Sequence, residues 1–330
     1  MNFSHARMLR PVRVAVSYLH SAQVPSLPGL LPGLRALVVI AIVLALGGCT
    51  GAKLFVANVP GWFGSAERSV ATYAPATGLQ LDVYRPAGPV AEPRPVIVFV
   101  HGGAWQYGTR RQYAFVGHTL AGEGYVAVLP DYRKYPAVRF PAFVDDVAAA
   151  VAWTAENIAV HGGDPGRVFL MGHSAGAHMA MLTVLDPAYL AAAGVGADVV
   201  RGVIGLAGPY DFALESARLR DIFSTADTSR DYRPLVWVQP GAPPVLLVHG
   251  TADSDVDPRN SVQLAKALRA AGVPVTVEFL DGLDHGAPVA ALSPVRRNLA
   301  PVLPAIEAFT EAHGADAACC GPPDVTAAAL

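Results

Sequence analysis

The sequence predicts an α/β fold: a mostly parallel central sheet with helices on both faces. Three observations carry that prediction. Short, continuous apolar runs recur along the chain: VIVFV (96–100), YVAVL (125–129), VFLM (168–171), VIGL (203–206), VLLV (245–248) and VTVEFL (275–280). Strands buried on both faces read this way. Helical patterns alternate with these runs, as parallel strands joined by crossover helices require. Glycine-rich turns with polar residues follow the runs, and in such sheets ligands bind at the carboxyl ends of the strands.

The elements follow in order. Residues 58–64 are rich in Gly and Pro. In LQLDVY (79–84) apolar and polar residues alternate, which reads as a half-exposed antiparallel strand. Pro86, Pro89, Pro93 and Pro95 then break the chain before the first continuous run. A helix is expected over 110–122, bounded by Thr109 and Gly122. Over 142–158, Val144, Val147, Val151, Ala155 and Ile158 recur at spacings of three or four, one face of a helix. Residues 259–271 end at Gly272, a good helix stop, and 295–311 form a closing helix. The stretch 209–243 lacks a clear period and reads as a small cap or pocket wall, where substrate choice would be encoded. The expected organisation is a leader over 1–49, a linker over 50–75, one catalytic-sized domain over 76–313 and a tail over 314–330.

Composition excludes several classes. The formal net charge is −2 and no basic cluster stands out, so nucleic-acid binding has no electrostatic footprint. There is no C-x-x-C and no H-E-x-x-H, so no metal site is indicated. The three cysteines, Cys49, Cys319 and Cys320, lie outside the middle of the chain, so a disulfide framework for the core is excluded.

The leader carries its own signal. ALVVIAIVLAL (36–46) is an uninterrupted apolar run, preceded by Arg7, Arg10, Arg13 and Arg35 without an acidic residue. A membrane-spanning helix needs about 20 apolar residues, whereas a signal-peptide core needs roughly 7–15. Leu46-Gly47-Gly48-Cys49 resembles the lipobox of bacterial lipoproteins, which implies export, cleavage and lipidation of Cys49, with attachment to the cell-envelope membrane. The alternative is a short uncleaved inner-membrane anchor over 36–46.

The strand ends carry the chemistry. After 96–100 comes His101-Gly102-Gly103-Ala104-Trp105, whose glycines let backbone approach a ligand closely. After 168–171 comes Gly172-His173-Ser174-Ala175-Gly176, a G-x-S-x-G that sets the Ser174 hydroxyl at a helix N-terminus. After 245–248 comes His249-Gly250-Thr251-Ala252-Asp253, and after 275–280 come Asp284 and His285. Serine is a weak nucleophile that needs a base within reach. Ser174 is the candidate nucleophile and His285 the base. Asp253, Asp255 and Asp257 compete as the acid that orients the imidazole. Asp253 lies nearest the strand end and matches H-G-x-x-D; Asp255 is the reserve; Asp257 precedes Pro258 as a helix cap. The N–H groups of Ala175, Gly103 and Ala104 are the candidate oxyanion donors. Trp105 and Tyr210 would wall the substrate pocket or pack the core. His101, His173 and Asp131 read as braces.

The order Ser, Asp, His is that of α/β-hydrolases. With its H-G-G-x-W loop and G-H-S-A-G-A-H elbow, the region from about 79 to 311 resembles the carboxylesterase branch of that superfamily, in particular BD-FAE-type esterases, kynurenine formamidases and isoprenylcysteine methylesterases. The resemblance implies a cofactor-free serine hydrolase that cleaves small-molecule carboxylic esters through an acyl-enzyme. The alternatives are an arylformamidase or amidase using the same triad, and a hydrolase-like binding protein without turnover.

Overall fold

The computed structural model describes residues 57–58, 66–89, 92–224 and 231–314. Eight strands form one sheet: β1 (Glu67–Ala74), β2 (Leu79–Arg85), β3 (Arg94–Val100), β4 (Val126–Pro130), β5 (Gly163–His173), β6 (Val200–Leu206), β7 (Val245–Gly250) and β8 (Val275–Leu280). Their order across the sheet is β1-β2-β4-β3-β5-β6-β7-β8. The pairs β1–β2 and β2–β4 are antiparallel, and every other pair is parallel. The six apolar runs fall in β3 to β8, with Tyr125 standing just before β4, but 275–280 is not buried on both faces: β8 is the edge strand and Phe279 is exposed.

Alternation within those runs explains the layering. Side chains of a strand point to opposite faces in turn. Val96, Val98 and Val100 enter one core, with Val168, Leu170, Val245 and Leu247. Ile97 and Phe99 enter the other, with Phe169, Met171, Leu246 and Val248. The first core is covered by α2 (Ala142–Asn157), α3 (Ala175–Leu185) and α6 (Arg259–Ala270); α4 (Pro187–Ala192) and α5 (Ala217–Ile222) lie between α3 and α6 in sequence. The second is covered by α1 (Ala114–Gly122), α7 (Ala287–Ala290) and α8 (Val302–Gly314). Every residue of α3 is buried, so this helix runs through the interior rather than along a surface.

Three expectations need correction. The linker expected over 50–75 contains β1, whose residues Glu67–Ala74 extend the sheet beyond β2. The alternation in β2 does not mark a solvated face, because Asp82 and Tyr84 are both buried. Asp82 Oδ1 accepts hydrogen bonds from Arg68 at 2.9 Å and from Arg110 Nε at 2.8 Å, and Tyr84 packs its ring on Gly117 and edge-on to His118 of α1. A polar residue in an alternating strand is therefore no proof of exposure when a guanidinium covers it. The closing helix starts at Val302 rather than near 295; Pro301 has no N–H to offer, and its carbonyl accepts the N–H of Ala305 as the helix begins.

Among the described residues, no helix is long and apolar enough to cross a membrane. Residues 36–46 and Cys49 lie outside the described residues.

Candidate active site

Ser174 sits between β5 and α3 with φ 56° and ψ −123°, a backbone conformation rare for a residue with a side chain. Its N–H donates to Leu206 O at 2.9 Å. The turn closes only because its flanks are bare. A Cβ on Gly172 would stand 2.3 Å from the backbone of Gly176, and one on Gly176 would stand 2.1 Å from Val100 O. Strain of this kind persists where surrounding structure holds it, and it is common at functional sites.

Two strand ends bring partners to this serine. His285 follows β8, and its Nε2 lies 2.9 Å from Ser174 Oγ. Asp253 follows β7, and its Oδ2 lies 2.7 Å from His285 Nδ1. A carboxylate only accepts, so Nδ1 carries the proton and Nε2 is left to accept from the serine hydroxyl. Burial would raise the Asp253 pKa, but hydrogen bonds from His249, His285 and the Val256 N–H outweigh it and hold the carboxyl well below its ordinary range. The Asp253 side chain is inaccessible to solvent, whereas that of His285 is 17 % exposed. The three residues chosen from sequence thus meet in one hydrogen-bonded line. The reserve acid, Asp255, is exposed and gives only its backbone N–H, which donates to Asp253 Oδ1 at 2.9 Å. Asp257 is also exposed and pairs with Arg259.

The loop after β3 abuts the serine from the other side: a Cβ on Gly102 would come within 3.2 Å of Ser174 Cβ. Gly103 takes φ 131°, and a Cβ there would strike Tyr107 O at 2.2 Å. Ala104 (φ 51°) and Trp105 (φ 60°) continue the left-handed path. The carbonyl of Gly103 is taken by the N–H groups of Gln106 and Tyr107. Ala175 opens α3, so its N–H has no partner inside the helix. The loop carrying Gly103 and Ala104 and the start of α3 at Ala175 thus flank Ser174.

Trp105 and Tyr210, left open between pocket wall and core, are both buried. Tyr210 is fully buried; its N–H donates to Asn260 Oδ1 at 2.8 Å, and its hydroxyl end fills space left by Gly205 and Gly208. It is a core residue, and its position directly after a Gly-Pro turn gave no sign of that. Trp105 is 5 % exposed. Its Nε1 donates to His178 Nδ1 at 3.3 Å, and its ring packs against Phe212 and Phe223. His178 Nε2 in turn donates to Tyr232 O at 2.6 Å. Trp105 therefore belongs to an aromatic cluster that ties the loop after β3 to α3 and to the stretch 209–243.

Sequence reasoning passed over two histidines. His178 stands one helical turn below Ser174, and burial pushes its pKa down to about 4. His249 is fully buried beside Asp253, with Nε2 3.1 Å from Oδ2. The signals were present, in the i, i+4 spacing of Ser174 and His178 and in the first letter of H-G-x-x-D. His173 does brace: its Nε2 donates to His285 O at 3.0 Å, and burial, assisted by His285, pushes its pKa down to about 3. His101 is stacked between Tyr113 and Tyr132, and Asp131 accepts the Arg110 N–H at 2.9 Å and pairs with its guanidinium.

Comparison with known proteins places this geometry. The BD-FAE family model matches residues 81–268. Esterase LipC of Mycobacterium tuberculosis is 35% identical over 227 residues, covering 62% of this chain and 56% of that protein. A probable isoprenylcysteine alpha-carbonyl methylesterase of Oryza sativa subsp. japonica is 30% identical over 227 residues, covering 62% and 55%. The chain thus spans about half the length of the curated relatives it matches. Esterase 2 of Thermogutta terrifontis is similar in structure, with TM-score 0.62 and 28% identity, covering 75% of this chain and 91% of that one. Its propionate-bound form gives TM-score 0.63, and it has also been seen phosphonylated by sarin. The sheet order, the strained serine elbow and the family match agree: the chain has the α/β-hydrolase fold and belongs to the BD-FAE family.

Proposed function

We propose that this protein is a serine hydrolase that cleaves carboxylic esters through an acyl-enzyme. The observation that carries the reading is the continuous line Ser174 Oγ, His285 Nε2, His285 Nδ1, Asp253 Oδ2, with links of 2.9 and 2.7 Å. His285 takes the Ser174 proton as Oγ attacks the ester carbonyl. Asp253 holds the imidazole in the required tautomer and stabilises its charged form. The oxyanion of the tetrahedral intermediate is met by the N–H groups of Gly103, Ala104 and Ala175, each worth about 3–4 kcal/mol in the transition state. His285 then returns the proton to the departing alcohol. Water, activated by the same imidazole, attacks the acyl-enzyme and frees the acid. None of these steps calls on a cofactor.

The named relatives are esterases, which supports esters over formamides, and the neighbour that binds propionate and butyrate supports short acyl chains. The test is a panel of p-nitrophenyl esters from acetate to palmitate, with N-formylkynurenine added and Ser174→Ala as blank. Turnover is expected to be highest at short chain lengths and to fall about 10⁴-fold or more in the variant. An unchanged rate for Ser174→Ala refutes the assignment. A fluorophosphonate that leaves the wild-type serine unlabelled would point to a binding protein instead.

The lipobox-like Leu46-Gly47-Gly48-Cys49 supports a lipidated, envelope-attached form. Labelled palmitate should enter the wild type and not Cys49→Ala; equal incorporation rejects lipidation.

A further inference from the structure

His249 is a fully buried titratable side chain for which the reaction as proposed has no use. Its ring is nevertheless fixed at both nitrogens. Nε2 faces two acceptors, Asp253 Oδ2 at 3.1 Å and Val256 O at 3.0 Å, so Nε2 bears the proton. Nδ1 lies 2.8 Å from Ser261 Oγ and is left to accept from that hydroxyl, which is itself fully buried on α6. Asp253 therefore receives four hydrogen bonds. Oδ1 takes the N–H groups of Asp255 and Val256, both at 2.9 Å, and Oδ2 takes His285 from the solvent side and His249 from the core side.

We infer that His249, oriented by Ser261, is a positioning residue for the catalytic acid: its Nε2–H fixes the Oδ2 lone pair that meets His285. The backbone bonds at Oδ1 hold the carboxylate by one oxygen only and leave it free to tilt about that oxygen. The bond from His249 removes that freedom and keeps Oδ2 in line with His285 Nδ1. Placement of this kind matters because the triad works only within about 0.5 Å of its productive geometry. The inference rests on the serine-hydrolase reading and adds to it a fourth and a fifth member, from the end of β7 and from α6.

The test uses the full chain and three variants: His249→Phe keeps the bulk and loses the donor, His249→Gln restores an N–H near Nε2, and Ser261→Ala removes the hydroxyl that orients the ring through Nδ1. Two quantities are read: kcat and KM on p-nitrophenyl butyrate, and the rate and endpoint of labelling by a fluorophosphonate. His249→Phe should lower kcat and the labelling rate about 10- to 100-fold, with KM within about twofold and a labelling endpoint equal to wild type. His249→Gln should recover to within about threefold of wild type. A purely structural role would lower the endpoint and leave the rate of the surviving fraction unchanged, and that result overturns the inference. So does a Gln variant no better than Phe. Should His249→Phe fail to fold, Ser261→Ala decides: a two- to fivefold fall in kcat at constant KM supports the inference, and wild-type kcat overturns it. Wild-type protein that resists the fluorophosphonate altogether would instead sink the hydrolase reading on which this rests.

Discussion

The two sides of Ser174 are built by different physics. On the acid side, a solvent-free carboxylate is held by four hydrogen bonds from two imidazoles and two backbone N–H groups. On the side proposed to hold the oxyanion, the oxyanion side, three successive residues with positive φ are held by packing: Trp105 stacks on Phe212, meets Phe223 edge-on and bonds His178. The acid side is a device for keeping a charge in place, and the oxyanion side is a device for keeping strained backbone in place. Damage to the first should therefore appear in the chemical step with the fold intact. Damage to the second should appear in stability as well.

The largest separation of the two is expected from Asp253→Asn. The amide preserves shape but turns one acceptor oxygen into a donor, so it no longer fixes the His285 tautomer. A loss of about 10³- to 10⁴-fold in kcat is expected with the fold retained. If kcat fell less than tenfold, charge would not be what the acid side supplies. Trp105→Ala tests the other side. It empties an aromatic site, which typically costs about 3–5 kcal/mol of stability, and it frees the loop that presents Gly103 and Ala104. Both Tm and kcat should fall, and Trp105→Phe should recover most of the Tm. A variant with wild-type Tm and reduced kcat would mean that the aromatic cluster is not what holds the loop.

The histidine inside that cluster gives the oxyanion side a pH dependence of its own. Burial lowers the His178 pKa to about 4, against about 6.5 in an unfolded chain. Between those values the unfolded state binds the extra proton, so stability rises with pH across this window. It is fully present above about 6.5, declines as pH falls, and its loss is complete below about 4. The amount is on the order of 3 kcal/mol for this group. His178→Gln should flatten the Tm profile between pH 4 and 6.5. Asp253 works in the same sense at lower pH: its depressed pKa adds stability that is present above the ordinary carboxylate range and lost as pH falls below about 4. A His178→Gln profile as steep as wild type would shift the effect to His173 or to other buried groups.

The same contrast explains what could be read from sequence. The inner parallel strands were legible because burial on both faces leaves uninterrupted apolar letters, and the turns after them were legible because close backbone approach demands glycine; β8, at the sheet edge, is only partly buried. Ser174, His285 and Asp253 stand at three such strand ends, so topology alone brought them near one another. β1 was not legible: as an edge strand its first four residues are exposed, and Glu67-Arg68-Ser69 reads as loop. The aromatic cluster was not legible either. Its members come from the loop after β3, from α3 and from the aperiodic stretch 209–243, and no spacing in one segment announces contacts with another. For the same reason the sequence left Tyr210 open between pocket wall and core, since the room it fills is made by Gly205 and Gly208 and its anchor is Asn260, 50 residues away.

The smallest expected effect comes from the residue that competed with Asp253 on paper. Asp255 is two positions along the same turn, has the same carboxylate and was a credible acid by spacing alone. Its contribution to the site is a backbone N–H at 2.9 Å from Asp253 Oδ1, which any residue other than proline provides. Asp255→Asn should therefore leave kcat and KM within about twofold of wild type. Asp255→Pro deletes that N–H without touching the triad side chains. It should lower kcat several-fold, because one of the two bonds that hold Oδ1 is gone. The pair separates backbone from side chain at a single position. A large loss in the Asn variant would move the catalytic acid to Asp255, whereas an unaffected Pro variant would mean that Oδ1 needs only Val256.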